Sequence, residues 1–197
     1  RRLARSSCAS RPAATPQARV GAPAVEAVDF GTVSYEGPVL FGADHIVDDF
    51  DCGNDVLNEW LRTKALHNQR EGGSRTWVVL DGRRVVAFYA SSTAVLMRSR
   101  ATKRAARNQP DPLPAVLLGR LAVDANHQGR GLAAALLKHF ILKSLEVAEL
   151  TGVRLLLVHA NNDTARRFYL RYGFEPSPVD DLTLMLLVKD VRPSPSA

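Results

Sequence analysis

The sequence predicts a domain of the α/β (α+β) class, a mixed central sheet flanked by helices, and three observations predict it. Apolar runs of strand length, bounded by turn-forming residues, alternate with stretches of helical periodicity. Asp81-Gly82 stands between two β-rich runs, Thr76–Leu80 and Val85–Leu96, and is a hairpin signal. The buried-type strand Ala115–Val123 passes through a short polar turn into a long amphipathic stretch from Gly131 to Val147.

Along the chain, residues 1–37 mix Arg, Ala, Pro, Ser and Gly without apolar periodicity and read as a disordered basic tail. The folded domain is expected over 38–190, with 191–197 as a C-terminal tail. Val39-Leu40-Phe41 open it as a strand, and Ile46-Val47 mark the exit. Asn54 or Asp55 can cap a helix on which Val56, Leu57, Trp60, Leu61 and Ala65 recur at helical spacing, stopped by Gly72-Gly73. After the hairpin, Met97–Pro114 is a basic, Pro-containing connection. The helix from Gly131 turns Leu132, Leu136, Leu137, Phe140, Ile141 and Leu145 inward. Arg154–Val158 is a strand, Thr164–Tyr172 a short helix ended by Gly173, and Leu182–Val188 a last strand.

The 197 residues and 46% apolar content suit one core rather than several. No apolar run reaches the roughly 20 residues of a membrane span. Arg1, Arg2 and Arg5 are followed by no apolar core, so a secretory signal is not expected, and Pro12 and Pro16 break any amphipathic transit helix. Cys8, Cys52 and the five His residues show neither a disulfide framework nor ligand spacing, so no metal is expected and a reducing cytoplasm fits. Charge is segregated. Residues 1–25 hold five Arg and no acid, residues 26–59 nine acids and no Lys or Arg, and residues 60–107 eleven basic residues against Glu71 and Asp81. Such asymmetry suits a basic surface facing an anionic partner, or simply a solvated face.

The turn Gln128-Gly129-Arg130-Gly131-Leu132-Ala133 carries the chemistry. A helix start leaves amide N–H groups unpaired at the positive end of the macrodipole. Gly129 and Gly131 lack Cβ atoms, so a phosphate can approach that backbone closely, and Arg130 adds a full charge. A diphosphate is the natural guest. The dinucleotide fingerprint GxGxxG with its downstream acid is absent, and so is the GxxxxGK of a P-loop.

This turn resembles the Q/R-x-x-G-x-G/A signature of the GNAT family of N-acetyltransferases, with Gln128, Gly131 and Ala133 at its fixed positions. The stretch Asn162-Asp-Thr-Ala165-Arg-Arg-Phe168-Tyr169-Leu-Arg-Tyr-Gly173-Phe174 is similar to the family's second segment and also follows a strand. The resemblance covers about residues 39–189. It implies the GNAT fold, in which two neighbouring strands, here Ala115–Val123 and Arg154–Val158, splay apart around acetyl-coenzyme A (acetyl-CoA). It implies that the main chain of Leu121, Ala122 and Val123 pairs with the pantetheine arm. Gln128, Gly129, Arg130, Gly131, Leu132 and Ala133 would hold the pyrophosphate. Asn162, with Asn161 as its substitute, would meet the arm, although either can equally be a helix cap. Phe168 reads as core.

Tyr169 matches the family position that protonates or hydrogen-bonds the departing sulfur, and the Val123 N–H is the expected oxyanion donor. No general base is evident, because Asp124 at the strand end is explained as well by turn formation. A missing base favours an α-amine, of pKa about 7.7–8.0, over a lysine near ~10.4. The stretches Phe50-Asp-Cys52-Gly53, Leu57-Asn-Glu-Trp60-Leu61, Gly73-Ser-Arg75-Thr76, Pro114–Asp124 and Val158-His159-Ala160 further resemble the TacT/AtaT-type branch of GNAT toxins. That branch implies a bacterial homodimer that acetylates the α-amine of aminoacyl-tRNA, blocks translation and is neutralised by a ribbon-helix-helix antitoxin. Arg62, Lys64, Arg70, Arg75, Arg98, Arg100, Lys103, Arg104 and Arg107 are candidate tRNA contacts, with Arg75, Arg98, Lys103 and Arg104 foremost. Two other readings stay open: a GNAT enzyme acting on a small amine or a protein N-terminus, and a non-catalytic module that binds RNA or an antitoxin.

Overall fold

The computed structural model describes residues 28–29 and 34–191, so of the tails expected at 1–37 and 191–197, residues 1–27, 30–33 and 192–197 lie outside the described residues. The strands are β1 (Val28–Asp29), β2 (Ser34–Leu40), β3 (Arg75–Asp81), β4 (Arg84–Leu96), β5 (Leu113–Val123), β6 (Leu155–His159), β7 (Glu175–Ser177) and β8 (Asp180–Leu187). The helices are α1 (Asp55–Thr63), α2 (Ala65–Arg70), α3 (Lys103–Ala106), α4 (Leu132–Leu150) and α5 (Asp163–Arg171). The strands form one sheet in the order β1-β2-β3-β4-β5-β6-β8-β7, in which β5 and β6 are parallel and every other pair is antiparallel.

Helices cover both faces, and the core divides accordingly. Leu132, Leu136, Leu137 and Phe140 of α4 and Tyr169 of α5 pack with Leu156, Val158, Leu184 and Leu186 on one face. On the opposite face α1 and α2 place Trp60, Leu61 and Ala65 against Val78, Phe88, Ala90 and Ala122. Farther along that second face, Ala101 and Ala105 cover Leu113, Ala115, Leu155, Leu157 and Met185. Two separate caps therefore sit on the second face. Phe140, only 1% exposed, interlocks with Tyr89 at 5.8 Å between ring centres. Phe140→Ala is expected to cost about 3–5 kcal/mol of stability in chemical denaturation, because it removes a ring from a packed interior.

Several elements differ from the sequence reading. The sheet begins with β1 at Val28 and β2 at Ser34 rather than near Val39, and Tyr35, 3% exposed, is an interior residue inside the stretch read as tail. The helix expected to run on to Gly72 breaks at Lys64, where the Thr63 hydroxyl donates to the Glu59 carbonyl at 2.8 Å, a back-bond that bends helices. Val56 is 75% exposed, while Asn58 is buried in its place, its side chain committed to Asp51 and Cys52. The basic connection folds into a 3₁₀ turn at Arg98–Arg100 and α3, capped by Thr102. The short edge strand β7 was not foreseen.

One irregularity places the site. Ala90 pairs with Arg120 but Ser91 pairs with Leu118, so Gly119 is the extra residue of a β-bulge. Pairing of β5 with β6 ends at the same point, Leu118↔Val158. Beyond Gly119 the two strands part. The bulge also reverses side-chain parity. Val116 and Leu118 face α4 before it, whereas Ala122 faces α1 after it.

Candidate active site

The gap between β5 and β6 opens into a cleft of about 420 Å³. Leu121, Ala122 and Val123 form one wall, Gln128, Gly129, Leu132 and Ala133 the floor at the start of α4, and Asn161 and Asn162 the far side. Register orients the strand wall. The Asp124 amide donates to the Val86 carbonyl at 2.9 Å, so alternation along the antiparallel ladder turns the main chain of Ala122 to β4 as well. The main chains of Leu121 and Val123 then face the gap. Of the three strand residues expected to pair with a ligand arm, Ala122 contributes only its small side chain. The Val123 carbonyl already accepts from the Gln128 side chain at 3.2 Å, which leaves its N–H for the cleft.

The Gln128–Ala133 turn is built on its two glycines. Gly129 and Gly131 have φ of +75° and +80°, the left-handed region that disfavours side chains. No heavy atom lies within 4 Å of where a Gly129 Cβ would stand. α4 starts with no side-chain cap and no acid in its first turn. Its first amides are thus unpaired and sit at the positive end of a 19-residue helix. These donors fit a diphosphate, and the exposed strand edge fits an arm carrying amides. Arg130 behaves differently from expectation. Its guanidinium folds back to donate to the Tyr35 hydroxyl at 2.8 Å and the Asn126 carbonyl at 3.3 Å, bracing the turn from behind.

Asn162 caps α5, accepting from the Ala165 amide at 2.9 Å through Oδ1, and so directs only its amide NH₂ toward the cleft. Asp124 is structural. Burial opposes its ionisation, but the Asp51 and Asn126 amides and the His127 ring, all within 3.2 Å, outweigh that and hold its carboxyl below the ordinary range. Both oxygens are occupied, so Asp124 is no general base. Its bond to Asp51 stitches the 51–54 loop to the end of β5. That contact brings Cys52, Gly53, Asn54 and Leu57 into the cleft wall. Sequence reasoning missed these four as site residues, although the Asp-Cys-Gly stretch had already stood out.

Tyr169 is 7% exposed, wedged between Phe168 at 5.2 Å and Phe174 at 5.7 Å. Burial pushes its phenol up to about 12. Phe168 packs against the same core, as expected. Of the charged candidates, Arg75 donates to the Gln69 carbonyl at 2.8 Å and stays exposed. Arg98 and Lys103 are exposed and form no ion pair among the described residues. Arg104 is a correction. Its guanidinium is held at 2.6 Å by both Glu175 and Asp190, so its charge is neutralised within the fold. Arg100 is likewise paired with Asp180 at 3.3 Å. Among the described residues no cluster of three or more His, Cys, Asp or Glu could hold a metal, and no helix is long and apolar enough to cross a membrane.

Comparison with known proteins agrees with this geometry. Residues 72–176 match the acetyltransferase (GNAT) domain family. A tRNA-acetylating toxin of Mycobacterium tuberculosis is 44% identical over 158 residues, 80% of this chain and 95% of the relative. The solved structure of AtaT complexed with acetyl-methionyl-tRNAfMet superposes with a TM-score of 0.71 at 29% identity, covering 75% of this chain and 91% of that one. A tyrosine-to-phenylalanine mutant of AtaT, bound to the C-terminus of the antitoxin AtaR and acetyl-CoA, gives a TM-score of 0.67 at 28% identity, covering 77% and 92%. The splayed strands, the open glycine turn and these matches together make the chain a member of the GNAT acetyltransferase family.

Proposed function

We propose that the protein is an acetyl-CoA-dependent toxin that acetylates the α-amine of aminoacyl-tRNA and thereby blocks translation. The observation that carries this is the pairing of a diphosphate turn at the start of α4 with two basic caps on the opposite face of the sheet. α1–α2 bears Lys64 and Arg70, Arg75 follows them, and the 3₁₀ turn with α3 bears Arg98, Lys103 and Arg107, all exposed. Lys and Arg contacts supply much of the affinity for a polyanion, and a tRNA acceptor arm is one. The relatives named for tRNA acetylation support the same substrate.

Acetyl-CoA supplies an activated acetyl group as a thioester. The chain's part is to aim it and handle the proton. Amides at Gly129 to Ala133 hold the pyrophosphate. Main-chain groups of Leu121 and Val123 extend the β5 edge to the arm, as in strand addition. The Val123 N–H would serve as donor to the thioester carbonyl, and the Tyr169 hydroxyl as donor to the departing sulfur. No carboxylate is placed as base, and an α-amine of pKa about 7.7–8.0 does not need one near neutrality. In this reading the active form is a cytoplasmic homodimer, and a ribbon-helix-helix antitoxin neutralises it, consistent with the antitoxin-bound AtaT relative.

Incubation with labelled acetyl-CoA and total charged tRNA tests the reading. Label is expected in the aminoacyl group, and KM for tRNA is expected to rise steeply with salt as counterion release is screened. Acetylation of free amino acids or protein N-termini, with charged tRNA untouched, would overturn it.

A further inference from the structure

Next to the strand wall of the cleft, one charged side chain has no ionic or hydrogen-bonding partner among the described residues. Arg120 is the first residue after the Gly119 bulge, and its guanidinium lies 4.1 Å from the centre of the Trp60 ring. Trp60 is itself 7% exposed and stacked on Phe88 at 6.0 Å, so the platform is fixed. One face of the guanidinium is thus covered, while its N–H edges make no hydrogen bond or ion pair among the described residues. Burial alone pushes the Arg120 pKa down, with no carboxylate acting against it. A half-buried cation that has shed water without gaining an anion is an unfavourable arrangement, offset when an anion arrives.

Location identifies the anion. The pyrophosphate turn lies beyond Val123, whereas Arg120 stands at the other end of the exposed edge, next to the vertex where β5 and β6 part. Three residue steps along the strand separate Arg120 from Val123, about 10 Å. The cofactor's phosphates and Arg120 therefore occupy opposite ends, and Arg120 belongs to the acyl end. It also faces the second side of the sheet, in the interval between the two caps. Leu117 packs under the α3 cap, Ala122 under the α1–α2 cap, and Arg120 lies between them in sequence and on the same face. A substrate guided by basic residues on both caps passes over it.

We propose that Arg120, stacked on Trp60, grips the phosphodiester next to the aminoacylated terminal adenosine and so positions the α-amine at the acyl end of the cleft. This rests on the aminoacyl-tRNA reading above and makes Arg120 a substrate-positioning residue. The fork of a guanidinium suits two phosphate oxygens, which a lysine matches less well.

The test uses two small acceptors built on an amino acid whose tRNA the wild-type enzyme acetylates: the 3′-O-aminoacyl-adenosine and its 5′-phosphate. Wild type is expected to prefer the phosphorylated acceptor by about 10- to 100-fold in kcat/KM, the range of a hydrogen bond to a charged group. Arg120→Gln, which keeps most of the stem, is expected to abolish that preference while the acetyl-CoA Kd stays unchanged, and Arg120→Lys to restore part of it. Should Arg120→Gln fail to fold, Trp60→Phe, which keeps an aromatic but shrinks the platform, is expected to reduce the same preference. A preference that survives in Arg120→Gln, or is absent from wild type, overturns the assignment. Wild type that acetylates neither acceptor nor charged tRNA overturns the underlying function instead.

Discussion

Tyr169→Phe is expected to lower kcat by about 10²–10⁴-fold, the usual worth of a positioned general acid, while leaving acetyl-CoA affinity nearly unchanged. The variant keeps the ring, and the ring is what packs against Phe168 and Phe174. Only the hydroxyl is lost. Burial holds that phenol up at about 12, higher than the near-10 value from which a simple proton exchange with a thiol would be argued. In the proposed role the hydroxyl would therefore act on the leaving sulfur as a hydrogen-bond donor that keeps its proton throughout the working pH range. The sign for pH follows. The form that works is the protonated one, and it persists until pH approaches about 12. The kcat/KM profile is expected to rise as the acceptor amine loses its proton and then stay level, with no alkaline fall below the limit of protein stability. Thiol release followed at several pH values measures both claims. Normal turnover in Tyr169→Phe would remove the residue from its role.

Gly131→Asp is expected to weaken acetyl-CoA binding by about 100-fold, some 2.7 kcal/mol, while leaving the fold intact. Two effects of the substitution oppose each other and separate the readouts. An acidic side chain suits the positive end of α4, which offsets part of the strain of placing a Cβ at φ +80°, so the melting temperature is expected to change by only a few degrees. The same carboxylate would stand where the phosphates are held and consume their amide donors. Calorimetric titration of acetyl-CoA beside a thermal melt distinguishes the two. Unchanged affinity would mean that the phosphates bind elsewhere.

What could be read from the sequence was what local chemistry dictates. The glycines of the turn, the apolar stripe of α4 and the Asn162 cap each follow from residues within one or two turns of themselves. What could not be read depends on partners far along the chain. Arg104 looks like a free cation until the fold brings Glu175 and Asp190 to it. Arg130 looks like a phosphate ligand until Tyr35 folds behind the turn. Val56 fits the apolar spacing of α1 better than Asn58, yet Asn58 is buried because Asp51 and Cys52 bind its amide. The Gly119 bulge shifts parity by one residue, so no fixed alternation could have shown that Leu118 and Ala122 look to opposite faces.

The division of the sheet into two faces has an optical consequence. The protein has two tryptophans, and they fall on opposite sides. Trp77 borders the α4 side, 4.7 Å from the His139 ring, while Trp60 lies under the Arg120 guanidinium. Emission from Trp60 alone, isolated by a Trp77→Phe background, would therefore report on the Arg120 side of the sheet without a contribution from the other side.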